Sequence, residues 1–337
     1  MQQFVHKIWY QGHWLKWVFW PLSWLFALIS SVRRSLFRLG IKPVYRSPVP
    51  VIVVGNITAG GSGKTPTVLY LIELLRRSGY KPGVISRGYG AEIESPLRVT
   101  PEHSSKDVGD EPAMIFARTQ VPMVVGPNRV AALETLLEQG DVDLVICDDG
   151  LQHYALGRDI EITLIDGERR FGNGMLIPAG PLREGPWRLD SVDFRLCNGG
   201  TAQTGEFAMT LEPSGLIELA AGDNSHAPVA GDKVAAMAGI GNPERFFTTL
   251  RQQGFELAKT RAFNDHQAFT AGDIDTLSQE LPILMTEKDA IKCRGFAKQN
   301  WWYLAVDAKL APEFDTQLLQ KVAAAKAGKQ GTTHGVR

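Results

Sequence analysis

Cysteine is scarce in this chain, which has only Cys147, Cys197 and Cys293 among its 337 residues. The three lie far apart and form no Cys-x-x-Cys pair, so the sequence predicts neither a disulfide framework nor a zinc site. This pattern is typical of a protein that works in a reducing compartment. A chain of this length can hold two domains and a full hydrophobic core.

An excess of charge of either sign is also lacking, because 36 basic residues balance 36 acidic ones. The balance argues against nucleic acid as a partner, since nucleic-acid-binding domains are usually strongly basic. No internal repeat is visible, and nothing in the sequence indicates an obligatory protein partner. Low complexity is confined to the C-terminal end, where we predict that residues 326–337 form a disordered tail.

Acidic residues are absent from residues 1–72, and residues 17–32 carry no charge at all. Five of the eight tryptophans lie between Trp9 and Trp24. A helix over the uncharged stretch would span about 24 Å, less than the roughly 30 Å of a bilayer's hydrocarbon core. Basic residues follow at once, namely Arg33, Arg34, Arg38, Lys42 and Arg46.

Three interpretations of this N-terminal segment stay open. Tryptophan prefers the headgroup boundary and arginine suits anionic lipid, so we predict a helical segment over residues 1–45 that lies in the membrane interface. A helix packed in the protein core is one alternative, and a signal peptide or signal anchor is the other. A cleaved signal fits poorly, because its basic residues precede the apolar run, whereas here they follow it.

The strongest motif lies in residues 51–65. Its first four residues predict a buried parallel strand, a glycine-rich turn follows, and apolar residues then recur at helical spacing from Val68 to Leu75. A strand, a glycine loop, Gly-Lys-Thr and a helix together form a P-loop, whose backbone N–H groups bind phosphate oxygens. The predicted phosphate contacts are Thr58, Ala59, Gly60, Gly61, Ser62, Gly63, Lys64 and Thr65.

One position departs from the P-loop pattern, because Thr58 stands where GxxxxGK[ST] has its first glycine. The strand before the motif and the helix after it still favour a nucleotide site over a plain glycine turn. We therefore predict ATP and Mg²⁺ as cofactors. Lys64 would reach the β- and γ-phosphates, and the Thr65 hydroxyl would hold Mg²⁺.

Residues 143–150 predict a second buried strand, which ends in the adjacent carboxylates Asp148 and Asp149. This is the Walker-B form, and two neighbouring acids repel each other unless a cation lies nearby. The alternative is a plain turn at Asp149. We assign Asp148 to the metal with Thr65 and Glu111, and Asp149 to catalysis with Lys64, although the spacing does not distinguish the two aspartates.

Further motifs are predicted at the same edge of the sheet. Residues 82–86 read as a strand that ends at Arg87, where strand ends line the ligand crevice of open α/β sheets. Asp110 stands at the expected N-cap of a helix, and capping alone is an open alternative to a functional role. Residues 169–184 read as an irregular loop over the crevice. We assign Arg87 and Arg183 to the substrate.

Together these motifs resemble those of the tetraacyldisaccharide 4′-kinase family. The matching stretches run in order over nearly the whole chain, at residues 54–65, 86–90, 109–112, 148–153, 170–174, 178–184, 265–266 and 285–290. The resemblance implies transfer of the γ-phosphoryl group of ATP to the 4′-hydroxyl of a tetraacylated glucosamine disaccharide 1-phosphate, a lipid A precursor. It also implies that catalytic Asp110 and His266 form a dyad that activates this hydroxyl.

The family resemblance further implies a location at the cytoplasmic face of the bacterial inner membrane, with the lipid surface as a partner. The predicted fold is α/β and P-loop NTPase-like, with a mostly parallel sheet sandwiched by helices and a hydrophobic N-terminal helix. The predicted bounds are an N-terminal segment at 1–45, a P-loop kinase domain at 46–228, a smaller α/β lobe at 229–325 and the tail at 326–337.

A membrane-associated P-loop ATPase or GTPase that acts as a switch or a partitioning protein is the alternative function. A GTPase would need DxxG after the metal strand and NKxD for guanine. The Asp148-Asp149-Gly150 stretch lacks the first spacing, and Glu287-Lys288-Asp289 lacks the asparagine of the second. A partitioning ATPase predicts hydrolysis that a protein partner stimulates and lipid does not.

Overall fold

The structure, a computed structural model, describes residues 2–220, 227–264, 267–278 and 280–333. Within these ranges the helices are α1 (Gln2–Tyr10), α2 (Leu15–Arg38), α3 (Lys64–Arg77), α4 (Ser105–Val108), α5 (Asp110–Thr119), α6 (Arg129–Gln139), α7 (Pro243–Gln252), α8 (Ala271–Asp275), α9 (Glu287–Cys293) and α10 (Pro312–Thr333). The strands are β1 (Val51–Gly55), β2 (Pro82–Ser86), β3 (Leu97–Arg98), β4 (Met123–Val125), β5 (Leu144–Asp148), β6 (Ile160–Asp166), β7 (Phe194–Asn198), β8 (Phe207–Glu218), β9 (Lys233–Ala238), β10 (Glu256–Ala262), β11 (Ile283–Thr286) and β12 (Trp301–Leu310).

The twelve strands form one sheet in the order β10-β9-β11-β12-β8-β7-β6-β1-β5-β2-β4-β3. Neighbouring strands are parallel except in the pairs β8–β12 and β3–β4, which confirms the predicted mostly parallel α/β fold. Strand β1 is fully buried between β5 and β6. The P-loop strand and the strand that ends in Asp148 are therefore direct neighbours, with Val54 opposite Asp148.

The sheet continues without a break across the predicted boundary at residues 228 and 229. Strand β8 of the kinase domain pairs along its length with β12 of the smaller lobe. Helix α10 also crosses this division, because Phe314, Leu318 and Val322 pack in the core beneath the P-loop helix α3. The domain bounds stay a prediction, but the last helix lies on the kinase domain and not on the smaller lobe.

The predicted disordered tail differs from the structure over residues 326–333, where α10 continues. Alanine, the best helix former, occupies residues 323–325 and 327 and favours the helix, whereas Gly328 and Gly331 disfavour it. Ion pairs also favour the helix, because Lys326 lies 2.7 Å from Asp143 and Lys329 lies 3.0 Å from Asp159. Residues 334–337 lie outside the described residues.

Helix α2 is longer than the uncharged stretch, because the helix continues through Arg33 and Arg34 to Arg38. Its 24 residues make it the one helix in the described part of the chain that is long and apolar enough to cross a membrane. Large apolar side chains stand exposed along it, among them Trp17, Trp20, Trp24, Leu25, Leu28 and Ile29. This exposure argues against the interpretation as a core helix.

The N-terminal helices are attached to the body of the protein through residues 169–184. The hydroxyl of Ser23, the one residue of α2 that is buried, donates to Leu176 O at 2.8 Å and accepts from Ala179 N at 3.0 Å. The Trp9 indole donates to Pro178 O at 3.0 Å. The predicted irregular loop is therefore ordered beneath the helix that carries the exposed apolar face.

Replacing Phe314 by alanine should strongly destabilise the fold. Phe314 is fully buried on α10, with its ring 5.3 Å from Phe194 and 5.6 Å from Phe207. Truncating a buried phenylalanine typically costs about 3–5 kcal/mol of unfolding free energy. Urea titration would measure the change. The control is Gln317→Ala at an exposed position of the same helix, which should change the free energy of unfolding by no more than about 0.5 kcal/mol. Equal stabilities of the two variants would contradict the docking of α10.

Candidate active site

The candidate site lies at the carboxyl ends of the central parallel strands. The P-loop follows β1, Asp148 ends β5, Ser86 ends β2 and Asn198 ends β7. Because these strands are parallel and adjacent in the sheet, their ends meet at one edge. This edge is where ligands bind in open α/β sheets, as the sequence predicts.

The P-loop turns through two glycines in the left-handed region, Gly60 at φ 108° and Gly63 at φ 93°. At Gly63 the chain is also crowded, since an added Cβ would lie 2.6 Å from the Asn198 amide nitrogen. Glycine is thus required where α3 begins. Thr58, Ser62, Lys64 and Thr65 are buried at the same bend.

Two asparagines that the sequence analysis does not single out as site residues hold the P-loop in place. Asn56 donates to the Ser62 hydroxyl at 3.0 Å, and Asn198 donates to the Ser62 carbonyl at 3.1 Å. Asn56 lies inside a motif of the family resemblance, whereas Asn198 ends β7, a strand that no sequence pattern predicts. The backbone N–H of Ala59, a predicted phosphate contact, donates instead to Pro181 O at 2.7 Å.

The P-loop lysine lies against the second Walker-B carboxylate. Lys64 Nζ is 3.6 Å from Asp149 Oδ1, and the Arg183 guanidinium is 3.2 Å from the same atom. Burial raises the pKa of Asp149, but the charges of Lys64 and Arg183 outweigh it and hold that pKa below its ordinary value. Asp149 is therefore an ionised carboxylate between two cations, one of which is the predicted substrate residue Arg183.

The pKa of Asp148 is shifted in the opposite direction, upward. Its side chain is fully buried, and Ser86 donates to Oδ2 at 3.0 Å, while Oδ1 has no hydrogen-bond partner within the described residues. Burial, then Glu111 and Asp149, raise the pKa of Asp148. A cation beside Oδ1 would stabilise the ionised carboxylate and lower this pKa again. The structure thus brings Asp148 near Glu111, as predicted for metal ligands.

The described part of the chain contains no cluster of three or more His, Cys, Asp or Glu side chains that could hold a metal ion. This does not conflict with Mg²⁺, which usually takes one or two carboxylates, several waters and the oxygens of substrate phosphates. The donors here are a carboxylate oxygen at Asp148 and the Thr65 hydroxyl at the start of α3. They fit a hard cation that a nucleotide helps to hold.

A buried arginine that sequence reasoning missed lies beside this cluster. Arg129, at the start of α6, donates to Gly126 O at 2.6 Å, while its Nε and Nη2 have no partner among the described residues. Burial, followed by the charge of Arg129, lowers the pKa of His153 to about 4. His153 is therefore neutral at pH 7.

Asp110 begins α5 but does not cap it. The N-cap is Gly109 at φ 91°, where an added Cβ would lie 2.6 Å from Tyr89 O. The prediction of an aspartate N-cap is wrong, because the close approach of the Tyr89 carbonyl leaves room only for glycine. Its carboxylate contacts α9, where Oδ2 lies 3.7 Å from Lys292 Nζ.

His266, the predicted partner of Asp110, lies outside the described residues. The flanking residues are placed, with Gln267 donating its N–H to Asn264 O at 3.2 Å. Phe269 packs with Lys292, whose Nζ is 5.0 Å from the ring centroid. Since Lys292 also contacts Asp110, Phe269 lies in the same neighbourhood as the start of α5.

Arg87, the other predicted substrate residue, follows β2 and is exposed. Its charge is among those that lower the pKa of His153. Arg169, which was not assigned a role, donates to Gly61 O of the P-loop and to Asp166. Thr65 is buried at the first turn of α3. All of the described candidate residues therefore lie at one edge of the sheet or on the helices next to it.

A P-loop at the end of β1, a lysine paired with the acid of the adjacent strand and a mostly parallel sheet define a P-loop NTPase-like protein. The family model for Tetraacyldisaccharide-1-P 4′-kinase matches residues 15–323. The chain belongs to this family and is a kinase.

Named relatives agree with this family. The tetraacyldisaccharide 4′-kinases of Shewanella amazonensis and Shewanella baltica (strain OS155) are 62% and 61% identical to the present chain, each over 100% of both chains. A crystal structure described as an "apo" form of LpxK from Aquifex aeolicus in complex with ATP matches with a TM-score of 0.78 and 27% identity. This match covers 91% of the present chain and 99% of the other.

Proposed function

We propose that this kinase uses ATP and Mg²⁺ to phosphorylate the 4′-hydroxyl of a tetraacylated glucosamine disaccharide 1-phosphate at the cytoplasmic face of the inner membrane. The observation that carries the proposal is the contact of Lys64 with Asp149 at 3.6 Å, at the mouth of a P-loop. Relatives about 60% identical over their full length are named for this reaction.

Each part of the P-loop has a task in this reaction. The backbone N–H groups around Gly60 to Thr65 bind phosphate oxygens, aided by the positive end of α3. Lys64 neutralises charge on the transferred group, and Asp149 together with Asn56 holds its ammonium in place. A bound nucleotide would loosen the contact of Lys64 with Asp149, since its phosphates and Asp149 compete for the same ammonium group.

Magnesium, when bound, neutralises phosphate charge and orients the transferred group. Asp148 Oδ1 and the Thr65 hydroxyl would hold it, with Glu111 close enough to influence Asp148. Of the two aspartates, only Asp148 has a buried oxygen without a partner among the described residues. The structure thus favours Asp148 over Asp149 as the metal ligand, because Lys64 and Arg183 already occupy Asp149.

The acceptor hydroxyl needs a base, because its proton must leave as the phosphoryl group arrives. We assign this task to His266, with Asp110 fixing its tautomer. The start of α5 and the loop that contains residue 266 belong to different predicted lobes.

The proposed reaction is tested by incubating the protein with γ-labelled ATP and a lipid A disaccharide 1-phosphate in mixed micelles. Label should move into the lipid, and an acceptor without a free 4′-hydroxyl should receive none. Release of labelled inorganic phosphate alone, at a rate that lipid does not change, would instead support the partitioning ATPase.

Membrane attachment should depend on the exposed face of α2. Replacing Trp17, Trp20, Trp24 and Leu28 by glutamine removes apolar side chains that are 45–63% exposed, and leaves the Ser23 contacts intact. The full-length protein should sediment with phosphatidylglycerol vesicles, and the fourfold variant should stay in the supernatant. Deletion of residues 1–40 should act likewise. Continued sedimentation of both altered forms would place the attachment elsewhere.

A further inference from the structure

Lys292 of α9 is a buried lysine at the junction of several elements. Its side chain is 5% exposed, and Nζ lies 3.3 Å from Asp289 Oδ1 and 3.7 Å from Asp110 Oδ2. The Phe269 ring centroid is 5.0 Å from the same nitrogen. One ammonium group thus touches α5 of the kinase domain, α9 of the smaller lobe and the segment just after residue 266.

The position of Lys292 is set within its own lobe. Asp289 is fully buried, and its Oδ2 accepts from Gly239 N at 2.8 Å and from the Thr286 hydroxyl at 2.7 Å. These two bonds hold the carboxylate so that Oδ1 faces Lys292. A Cβ at Gly239 would approach Asp289 Oδ1 to 2.9 Å, which shows how tightly the end of β9 packs there.

The opposite end of α5 is also held by α9. Arg118 donates to Glu287 at 3.3 Å and to Val306 O at 3.1 Å, and it pairs with Asp307. The two helices are therefore joined at both ends by charged groups. Only the Lys292 end includes a residue that the reaction uses.

We propose that Lys292 is a positioning residue, whose ammonium orients the Asp110 carboxylate in the assembled site. This inference rests on the proposed function, because it takes Asp110 as part of the reaction. A carboxylate in the first turn of a helix can adopt several rotamers. The contact with Lys292, itself anchored by Asp289, selects the rotamer that turns toward the smaller lobe.

The test compares Lys292→Met, Lys292→Arg and Arg118→Met in the label-transfer assay. Misplacing a reacting group can cost up to about 10²-fold, so Lys292→Met should lower kcat by at least about tenfold while the KM for ATP stays within about twofold. Lys292→Arg keeps the charge and should recover most of kcat. Arg118→Met removes the other join of the same helices and should lower the melting temperature while kcat stays within about twofold.

A second variant covers the case in which Lys292→Met does not fold. Asp289→Asn combined with Lys292→Met removes both charges and keeps an acceptor for Gly239, and it should show the same loss of kcat. The positioning role is overturned if folded Lys292→Met, alone or combined with Asp289→Asn, retains wild-type kcat, or if Arg118→Met lowers kcat as much as Lys292→Met does. A wild-type protein that transfers no label overturns the proposed function and this inference with it. An Asp110→Asn variant with full activity overturns the role assigned to Asp110, and this inference, but not the kinase reaction.

Discussion

Replacing Lys64 by methionine should lower kcat for phosphoryl transfer by about 10³-fold, since loss of one group that stabilises developing charge typically costs this much. The ammonium is the one cation of the P-loop motif, and it is 9% exposed where water cannot replace it well. Methionine has a similar length, so the effect would come from lost charge and not from a cavity. Steady-state transfer of label from ATP would measure it.

A lysine of the smaller lobe supplies the matched control. Lys309 is 64% exposed and pairs with Glu212 at 3.5 Å, so Lys309→Met removes an ion pair of little energetic value. Its kcat should equal that of the wild type. If Lys64→Met keeps more than about a tenth of the activity, the P-loop does not carry the catalysis assigned to it.

The features that sequence predicts well are those whose causes are local. The strand at 51–54, the glycine turn and Lys64 lie within fifteen residues of one another, and the structure places them as expected. The cap of α6 is local in the same way, because the side chain of Asn128, just before the helix, accepts from Val130 N at 3.0 Å. In these cases each residue type has its structural reason close by in the chain.

The features that sequence does not predict depend on distant parts of the chain. Strand β8 has an alternating burial pattern, but its register is set by antiparallel pairing with β12, about ninety residues further on. Gly109, and not Asp110, is the N-cap of α5, because Tyr89 O from another loop lies too close for a side chain at residue 109. The helical tail likewise depends on Asp143 and Asp159, which no pattern in residues 326–337 reveals.

The candidate site divides in the same way. Lys64 and Asp149 each belong to a recognisable motif, and adjacency of β1 and β5 brings the two motifs together. Arg129 follows β4 and Asn198 ends β7, and neither residue belongs to a recognisable motif. Only the fold therefore shows that they lie at the site. The opposite pKa shifts of Asp148 and Asp149 could not be predicted from two adjacent aspartates in the sequence. The shifts depend on which of the two carboxylates Lys64 and Arg183 contact.

Asp110→Asn and His266→Ala should each lower kcat by about 10²-fold or more while the KM for ATP changes little, because general-base catalysis contributes about this much and acts only in the transition state. Asparagine has the same shape as aspartate, so packing at the start of α5 is kept. Two groups that act as one base are not additive, and the double variant should be no slower than the slower single one. The same transfer assay, with ATP varied at saturating lipid, gives both constants.

The control for this pair is another aspartate of the same segment. Asp107 belongs to the capping box of α4, whose N-cap is Ser104, and its carboxylate accepts from Ser104 N at 2.8 Å. Asp107→Asn keeps an oxygen that can accept from Ser104 N, so it should lower stability by less than about 1 kcal/mol and leave kcat unchanged. Multiplicative losses in the double variant would mean that Asp110 and His266 act separately, and a parallel rise in the KM for ATP would assign them to binding.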